Sequence, residues 1–385
     1  MKKALLSLLL VIPLVACSKS GESSVSSIID GTSNKANPPS ELKAVTSGHF
    51  TEPQINYLNN EDPSNTSPYN GNMSVSKPLP ISLTWESEIN ASYFVEIYKD
   101  EDLKEKVVTY QTSEKSFDFY NPIFNQDYYI KVCLKDTDGG SLDSEVIHVK
   151  ESPTVKGPRN LYVDGVENIR DIGGWGYIKQ GMLYRSGRFN EDKAEEVNVT
   201  ISNAGINEIN NHLKIKTEID LRRTSNNEVG GLKDKSVLGE NVNYIQLPMA
   251  YGGNNILTFT GKLSGDDYVY DNPAEIKEFF NILADEKNYP INFHCSIGKD
   301  RTGCMAYLIE GLLGFDQETM YRDYMFTNFA DAGMCKLTDI TDRYGETINN
   351  YESGETLQEK IYNYLNQEIG VSTDNLDNII NILKA

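Results

Sequence analysis

The sequence of 385 residues has few metal-binding side chains and little positive charge. Its four histidines and five cysteines are scattered, and no Cys-x-x-Cys pair occurs. Because zinc and related metals need closely spaced histidine and cysteine ligands, we predict no metal site and no cofactor. The chain has 36 Lys and Arg residues against 56 Asp and Glu residues, a formal net charge of −20. This charge argues against nonspecific binding to nucleic acid or to an anionic lipid surface.

Long apolar runs are also missing, apart from a short one near the N-terminus. Met1 to Lys3 are followed by an apolar stretch over residues 4–15, which is too short to stay in a membrane as a spanning helix. The stretch ends in Leu-Val-Ala-Cys at 14–17, which resembles the lipobox of bacterial lipoproteins, with an ordinary secretory signal as the alternative. The resemblance implies a signal peptide at 1–17, an acylated Cys17 and an extracytoplasmic protein that only a lipid holds to a membrane.

Two segments of different composition follow. Residues 18–77 are rich in Ser, Asn, Gly and Pro, which predicts a flexible tether. Residues 78–151 contain short strand-like runs and turn signals, which predict a small antiparallel β-sandwich with Trp85 in its core. This part is similar to a fibronectin type III module. It shows no catalytic constellation, so we expect a spacer or a module for an unknown partner.

The third region, from 157 to 385, has the pattern of an α/β domain. Short apolar strands alternate with longer helical periodicities, for example at 274–283 and 319–329. A length of about 230 residues is enough for one hydrophobic core. We therefore predict a multidomain chain in which an all-β module precedes an α/β domain.

The segment His-Cys-Ser-Ile-Gly-Lys-Asp-Arg-Thr-Gly at 294–303 carries the most specific chemistry. It lies between a strand-like run at 289–293 and an apolar, helix-like run at 303–313. The first N–H groups of a helix have no internal partner, and the helix dipole adds positive potential there, so this loop predicts an anion site. The loop residues expected to surround a tetrahedral oxyanion are Ser296, Ile297, Gly298 and Lys299.

Cys295 and Arg301 are the candidate nucleophile and phosphate clamp. A free cysteine thiol has a pKa of about 8.5, and the helix end together with Arg301 should favour the thiolate. The planar guanidinium of Arg301 can donate two hydrogen bonds to one phosphate group, which a lysine cannot do.

These residues resemble the signature loop of the protein tyrosine phosphatase superfamily, in which Cys-x5-Arg follows His and precedes Thr-Gly. The Lys299-Asp300 pair inside the loop is similar to the bacterial secreted branch of tyrosine and lipid phosphatases. Further segments fit that branch in order, at 168–174, 183–187, 219–222, 321–324 and 364–383. The resemblance covers about residues 157–385. It implies a central, mostly parallel sheet flanked by helices and a phosphomonoester hydrolase.

The resemblance also implies a mechanism in which the Cys295 thiolate attacks phosphorus and a phosphocysteine is then hydrolysed. Many tyrosine phosphatases use a Trp-Pro-Asp loop as general acid, but neither Trp85 nor Trp175 precedes Pro-Asp. Asp300 is therefore the first candidate for the general acid, and Asp220 is the second.

Other residues are expected to support the site. The Thr302 hydroxyl is expected to hydrogen-bond the Cys295 sulfur or to cap the helix, and His294 is expected to orient the loop. Five arginines lie in or near motifs that the family places around the pocket and are candidate substrate contacts, namely Arg170, Arg185, Arg188, Arg222 and Arg223, of which Arg170, Arg185 and Arg222 are the first choices.

The sequence leaves the substrate class open. Phosphotyrosine is the first expectation, with dual specificity as an extension, and the partner is then a phosphorylated protein. Because Lys299 adds a second cation to the loop, a phosphoinositide or inositol phosphate is the alternative. A non-catalytic adhesion or phosphate-binding lipoprotein is a third reading.

Overall fold

The computed structural model describes residues 36–60, 62–66, 69, 71–135, 140–190, 201–224, 228, 235–251, 255–263, 268–330 and 335–385. The predicted signal peptide, Cys17 and the first part of the predicted tether lie outside these residues. Within the described ranges, no helix has the length and apolar character needed to cross a membrane.

The described ranges contain strands and helices in both halves of the chain. The strands are β1 (Ser40–Val45), β2 (Ile81–Glu86), β3 (Tyr93–Tyr98), β4 (Lys106–Thr112), β5 (Ser116–Phe119), β6 (Asp127–Lys135), β7 (Ser141–Asp143), β8 (Ile147–Lys150), β9 (Arg159–Asn160), β10 (Arg170–Asp171), β11 (Leu183–Ser186), β12 (Thr217–Asp220), β13 (Asn243–Gln246), β14 (Thr260–Gly261), β15 (Tyr270–Asp271) and β16 (Ile291–His294). The α-helices are α1 (Glu52–Leu58), α2 (Met73–Ser76), α3 (Asn203–Asn207), α4 (Asn272–Leu283), α5 (Asp300–Leu312), α6 (Gln317–Phe326), α7 (Leu337–Ile340), α8 (Glu346–Asn349), α9 (Leu357–Gln367) and α10 (Thr373–Leu383). Wider π-helical turns follow α3 at Glu208–Leu213 and α7 at Thr341–Gly345, and 3₁₀ turns lie at Glu286–Asn288 and Thr327–Phe329.

Two antiparallel sheets make up the N-terminal part. Their strand orders are β1-β2-β5 and β4-β3-β6-β7, and β8 pairs with β6. Strand β2 alternates buried and more exposed residues, as does most of β3, so each sheet offers one apolar face. Side chains from both sheets share one hydrophobic cluster that includes Trp85, Val95 and Ile130. Trp85 thus lies in the core that the sequence predicts for it.

The expectation of a flexible tether is wrong for the described part of 36–77. Strand β1 pairs with β2, which extends the β-structure upstream of the predicted boundary at 78. Helix α1 begins at a capping box formed by Thr51 and Gln54. It buries Tyr57, whose ring packs against those of Phe326 and Phe329. The average composition of the segment is polar, but a few apolar side chains anchor it, and their positions cannot be inferred from composition.

The C-terminal part is built on a six-stranded sheet with the order β13-β12-β16-β11-β10-β9. The four strands from β13 to β11 are parallel, while β10 and β9 run antiparallel. This agrees with the expected mostly parallel sheet. Strand β16 is buried along its whole length, as a central parallel strand should be. Parallel strands end at one edge of the sheet, and β16 ends there at His294, directly before Cys295.

Candidate active site

The segment around Cys295 consists of a strand, a tight loop and the start of a helix, as the sequence predicts. The loop consists of residues 295–299, and the 13-residue helix α5 begins at Asp300. Gly298 has a φ of +72°, and a Cβ at this position would lie 2.6 Å from the backbone oxygen of Ser186. Only glycine fits this conformation and this close approach. The glycine therefore allows the loop to turn against β11 and enter the helix.

Three carbonyl groups of the loop are bound from outside. Arg188 N donates to Ser296 O at 3.0 Å, Asn168 Nδ2 to Ile297 O at 3.0 Å, and Arg185 Nη2 to Gly298 O at 2.9 Å. In a trans peptide the C=O and the following N–H point to opposite sides. The next three N–H groups therefore point away from these partners, toward the inside of the loop. This is the arrangement that an oxyanion site requires.

The two Nη atoms of Arg301 are bound by other residues, whereas its Nε atom is not bound by any residue in the described part of the chain. Its guanidinium is 2% exposed. Nη1 donates to Leu221 O at 3.2 Å and to Met249 O at 3.3 Å, and both Nη atoms contact the Glu228 carboxylate. Nε has no hydrogen-bond partner among the described residues. A buried donor without a partner costs free energy, so this edge is ready to receive an anion.

Glu228 is a site residue that the sequence did not reveal. It also accepts a hydrogen bond from Arg223 Nε at 2.9 Å. Burial by itself would raise the pKa of Glu228, but the charge and hydrogen bonds of Arg301 and then Arg223 outweigh burial and lower the pKa. The ionised Glu228 carboxylate contacts both Nη atoms of Arg301 and so fixes the orientation of its guanidinium plane. No motif marks Glu228, because it lies in a polar segment beyond the recognisable residues 219–222.

His294 connects the residue that begins the loop to strand β12. Its Nε2 lies 2.9 Å from Glu218 Oε1, and its Nδ1 lies 3.1 Å from Cys295 O. All three residues are buried. Because both ring nitrogens face acceptors, the imidazole ties the backbone of the nucleophile to strand β12.

Asp220 does not have the environment of a general acid. Arg222 Nε and Nη2 donate to its carboxylate at 2.9 Å and 2.7 Å, and the Tyr244 hydroxyl donates at 2.8 Å. Burial alone would raise the pKa of Asp220, but the charges of His294 and Arg222 outweigh it and hold the pKa well below the usual range. The structure therefore corrects two expectations. Asp220 is not a suitable proton donor, and Arg222 is bound to it instead of facing a substrate.

The expected substrate contacts Arg170 and Arg185 are also corrected. Both side chains are buried and both form ion pairs with Asp323, Arg170 through Nε at 3.0 Å and Arg185 through Nη1. Burial would raise the pKa of Asp323, but the two arginines outweigh it and lower the pKa. These arginines thus support the loop from below, through Gly298 O and Asn168. The sequence shows their charge but not the partner more than a hundred residues away.

We expect Asp323→Asn to destabilise the fold strongly. It would remove the carboxylate that pairs with two buried guanidinium groups, and removing one partner of a buried ion pair typically costs about 3–5 kcal/mol. Urea denaturation at neutral pH measures this. Asp127→Asn is the matched control, because Asp127 pairs with Lys150 on the surface and its loss should leave the midpoint unchanged. A shift for Asp323→Asn no larger than that of the control would contradict the assignment.

The two charged residues inside the loop are each paired with the segment that follows α6. Lys299 Nζ lies 3.0 Å from Asp339 Oδ2, and Asp300 Oδ1 accepts from Arg343 Nη1. Both loop side chains are mostly buried. The Lys299 ammonium is therefore bound to a carboxylate and not placed as the expected second cation for a substrate. Asp300 occupies the first position of α5, with Arg343 as a partner that the sequence did not reveal.

The expected hydrogen bond between Thr302 and the Cys295 sulfur is not formed. Thr302 Oγ1 is buried and has no hydrogen-bond partner among the described residues. Thr302 is the third residue of α5, so its hydroxyl does not serve as the helix cap either. Cys295 itself is 1% exposed at the end of β16.

Comparisons with known proteins agree with this geometry. Residues 161–385 match the sequence model described as the Tyrosine phosphatase family. A protein of Cupriavidus necator, provisionally named a tyrosine-protein phosphatase, is 25% identical over 196 residues, which cover 46% of this chain and 67% of that protein.

Two solved structures show a weak likeness. The core catalytic domain of the PP-IP phosphatase SIW14 from S. cerevisiae, in complex with citrate, has 16% identity and a TM-score of 0.27 over 44% of this chain and 89% of that chain. TpbA from P. aeruginosa has 18% identity and a TM-score of 0.25 over 43% and 76%. The family match is the finding that counts, because it spans more than half of the chain and includes the loop from Cys295 to Arg301. The chain therefore belongs to the tyrosine phosphatase family, and it is a phosphatase.

Proposed function

We propose that this phosphatase hydrolyses phosphotyrosine in proteins, with dual specificity as an extension, through a phosphocysteine on Cys295. The observation that supports this most is the combination of Cys295 and Arg301 at the two ends of one loop. The Arg301 Nε edge has no partner among the described residues, and the carbonyls of three loop residues are bound by partners outside the loop, which directs the following N–H groups away from those partners. This set of donors suits one phosphate group.

The reaction has two steps. The Cys295 Sγ forms a bond to phosphorus while the bond from phosphorus to the substrate oxygen breaks, and that oxygen takes up a proton as it leaves. A water molecule then attacks phosphorus, gives up a proton, and the thiolate leaves with the electron pair of the S–P bond. Loop N–H groups and Arg301 stabilise the equatorial oxygens in both transition states.

Asp300 is the proposed donor and acceptor of these protons. It is the remaining candidate, since Asp220 is saturated with hydrogen-bond donors, and it lies at the start of α5. Arg343 contacts Asp300 Oδ1 and is the proposed positioning residue that sets the direction of the carboxyl group.

Asp300→Asn is expected to slow hydrolysis of phenyl phosphate by about 10²–10⁴-fold, the usual contribution of a general acid. Hydrolysis of p-nitrophenyl phosphate should suffer much less, because its leaving group needs no proton. Steady-state rates on both substrates measure the difference. Asp339→Asn is the control, since this carboxylate pairs with the neighbouring Lys299 but lies outside the loop. An equal loss on both substrates would exclude Asp300 as the acid.

A phosphoinositide or inositol phosphate is the second candidate substrate. The observation in its favour is that two further arginines lie next to the site. Arg188 Nη1 contacts Ser296 Oγ at 3.1 Å, and Arg223 lies against Glu228 and the Tyr251 ring. Rates on matched panels of phosphotyrosine peptides, phosphoinositides and soluble inositol phosphates decide between the two. A kcat/KM for an inositol phosphate well above every peptide would reverse our order of preference.

We further propose that the protein is an extracytoplasmic lipoprotein with a fibronectin type III-like module between anchor and enzyme. The lipobox-like residues 14–17 and the two antiparallel sheets with a common core support this proposal. Cell fractionation tests it, because Cys17→Ser should move the protein out of the membrane fraction. Unchanged membrane association of this variant would refute the lipid anchor.

A further inference from the structure

A cavity separate from the Cys295 loop lies between the N-terminal sheets and the phosphatase domain. Its volume is about 710 Å³, and no residue of the Cys295 loop belongs to its lining. Cavities that hold small molecules in proteins have volumes of about 300–1,000 Å³. The catalytic mechanism makes no use of this space.

Both parts of the chain contribute walls to the cavity. Strands β4 and β5 are the outermost strands of their two sheets, and each supplies lining residues. The opposite wall comes from the segment around Tyr162 and from α3 with its following π-helical turn. The cavity therefore exists only where the two parts meet.

Five of the thirteen described lining residues are aromatic. They are Phe94, Tyr110, Phe117, Tyr120 and Tyr162. Tyr110 and Phe117 form one pair with ring centroids 4.8 Å apart, and Tyr120 and Tyr162 form another at 4.7 Å. Their faces carry the negative potential of an aromatic ring, which attracts cations.

The charged residues of the lining all have one sign. Asp118, Asp164 and Glu208 contribute carboxylates, and the described lining residues include no lysine, arginine or histidine. Glu208 is buried and accepts hydrogen bonds from the Tyr110 hydroxyl and from Asn121 Nδ2, and its carboxylate also contacts His212 Nδ1, each at 2.7 Å. Although burial raises the pKa of Glu208, the neighbouring His212 outweighs burial and lowers it. The carboxylate is thus ionised and rigidly held.

Lysine side chains of the protein already use three of these rings as cation sites. Lys77 Nζ lies 3.8 Å from the centroid of the Tyr162 ring and 4.6 Å from that of Tyr120. Lys135 Nζ lies 4.8 Å from the centroid of Phe94. Neither lysine belongs to the lining itself. The protein's own ammonium groups therefore show the kind of group that these rings attract.

We propose that this cavity binds a small organic cation, an amine or quaternary ammonium compound with an apolar body. The rings would contact the apolar part and the charge, and the carboxylates of Asp118 and Asp164 would balance the charge, since Glu208 is already paired with His212. The chemistry is complementary on both counts. This proposal is independent of the phosphatase substrate, because no residue is shared between the two sites.

Choline and its neutral isostere 3,3-dimethylbutan-1-ol are suitable probes, since they differ in charge and hardly in shape. Isothermal titration of the full chain should show choline binding about tenfold or more tighter than the alcohol, the size of a cation–π and carboxylate preference. The double variant Asp118→Asn and Asp164→Asn should lose about tenfold in choline affinity. Both side chains are exposed, so the fold should tolerate the change.

The matched control is the double variant Glu101→Gln and Asp102→Asn. It removes the same two charges from the turn between β3 and β4, outside the cavity, and should bind choline like the unmodified chain. Cys295→Ser should also bind choline unchanged, which separates this site from catalysis. Equal affinity for choline and the alcohol, no binding of either, or an equal loss in the control variant would each overturn the proposal.

Discussion

Cys295→Ser is expected to lower phosphatase turnover by a factor on the order of 10⁵ or more, as loss of the nucleophile does in other covalent enzymes. A serine hydroxyl is a much weaker acid than a cysteine thiol, so serine does not supply the anionic nucleophile that the reaction needs. The loop and Arg301 are not altered by this exchange, so oxyanion binding should persist. Hydrolysis of p-nitrophenyl phosphate and calorimetric binding of vanadate measure the two properties separately.

Cys304→Ala is the control for this variant. Cys304 lies in α5, the helix that follows the loop; it is buried in the core, and burial raises the pKa of its thiol well above the ordinary value. We expect this variant to keep its activity. Measurable turnover in Cys295→Ser, or loss of activity in Cys304→Ala alone with an intact fold, would contradict the assignment of the nucleophile.

Arg301→Lys should have the second largest effect, a loss of about 10²–10³-fold in kcat/KM, as for removal of one oxyanion donor. Lysine can keep the charge beside Glu228, but it cannot donate to Glu228, to two carbonyls and to a phosphate oxygen from one rigid plane. The effect should therefore appear in the rate and only weakly in the stability. Kinetics on p-nitrophenyl phosphate and thermal unfolding measure both.

Arg159→Lys is the matched control. Arg159 is also buried and ion-paired, with Asp171, but it lies on β9 at the far end of the sheet order from β13. This exchange removes a guanidinium from a buried pair without touching the loop. An equal drop in kcat/KM for both lysine variants would mean that Arg301 acts through stability and not at the phosphate.

The catalytic loop could be found from sequence because its chemistry is local. Cys295, Gly298 and Arg301 lie within seven residues, and the apolar runs on either side imply a strand before the loop and a helix after it. The α/β class followed from the alternation of strand and helix patterns, and the mostly parallel sheet was implied by the family resemblance. For the loop and for the α/β class, neighbouring residues determine the structure.

What the sequence did not reveal depends on pairs that are far apart in the chain. Arg170 and Arg185 have the charge of substrate contacts, and only Asp323 shows that they hold the loop from below. Glu228 lies 73 residues from Arg301, and Arg343 lies 43 residues from Asp300. The sequence shows the sign of a charged residue but not the residue it pairs with, so these roles could be recognised only in the folded structure.

The packing of the segment before residue 78 could not be predicted from the sequence for a different reason. Tyr57 and Tyr69 are isolated in a polar stretch without periodicity, so composition predicted a tether. In the structure their rings pack against Phe329, which follows the helix that carries Asp323. Burial of a few large rings outweighs the polar average, since each contributes a large apolar area.

The central claim is that the phosphoryl group is transferred to the sulfur of Cys295 before it is hydrolysed. Trapping this phosphocysteine tests the claim most directly. The full chain is mixed with an aryl phosphate, quenched with acid during turnover, digested and analysed by mass spectrometry. We expect the peptide that contains Cys295 to carry the mass of one phosphoryl group, and the Cys295→Ser peptide to remain unmodified. Turnover with an unmodified Cys295 peptide, or with the phosphoryl group on another residue, would contradict the mechanism.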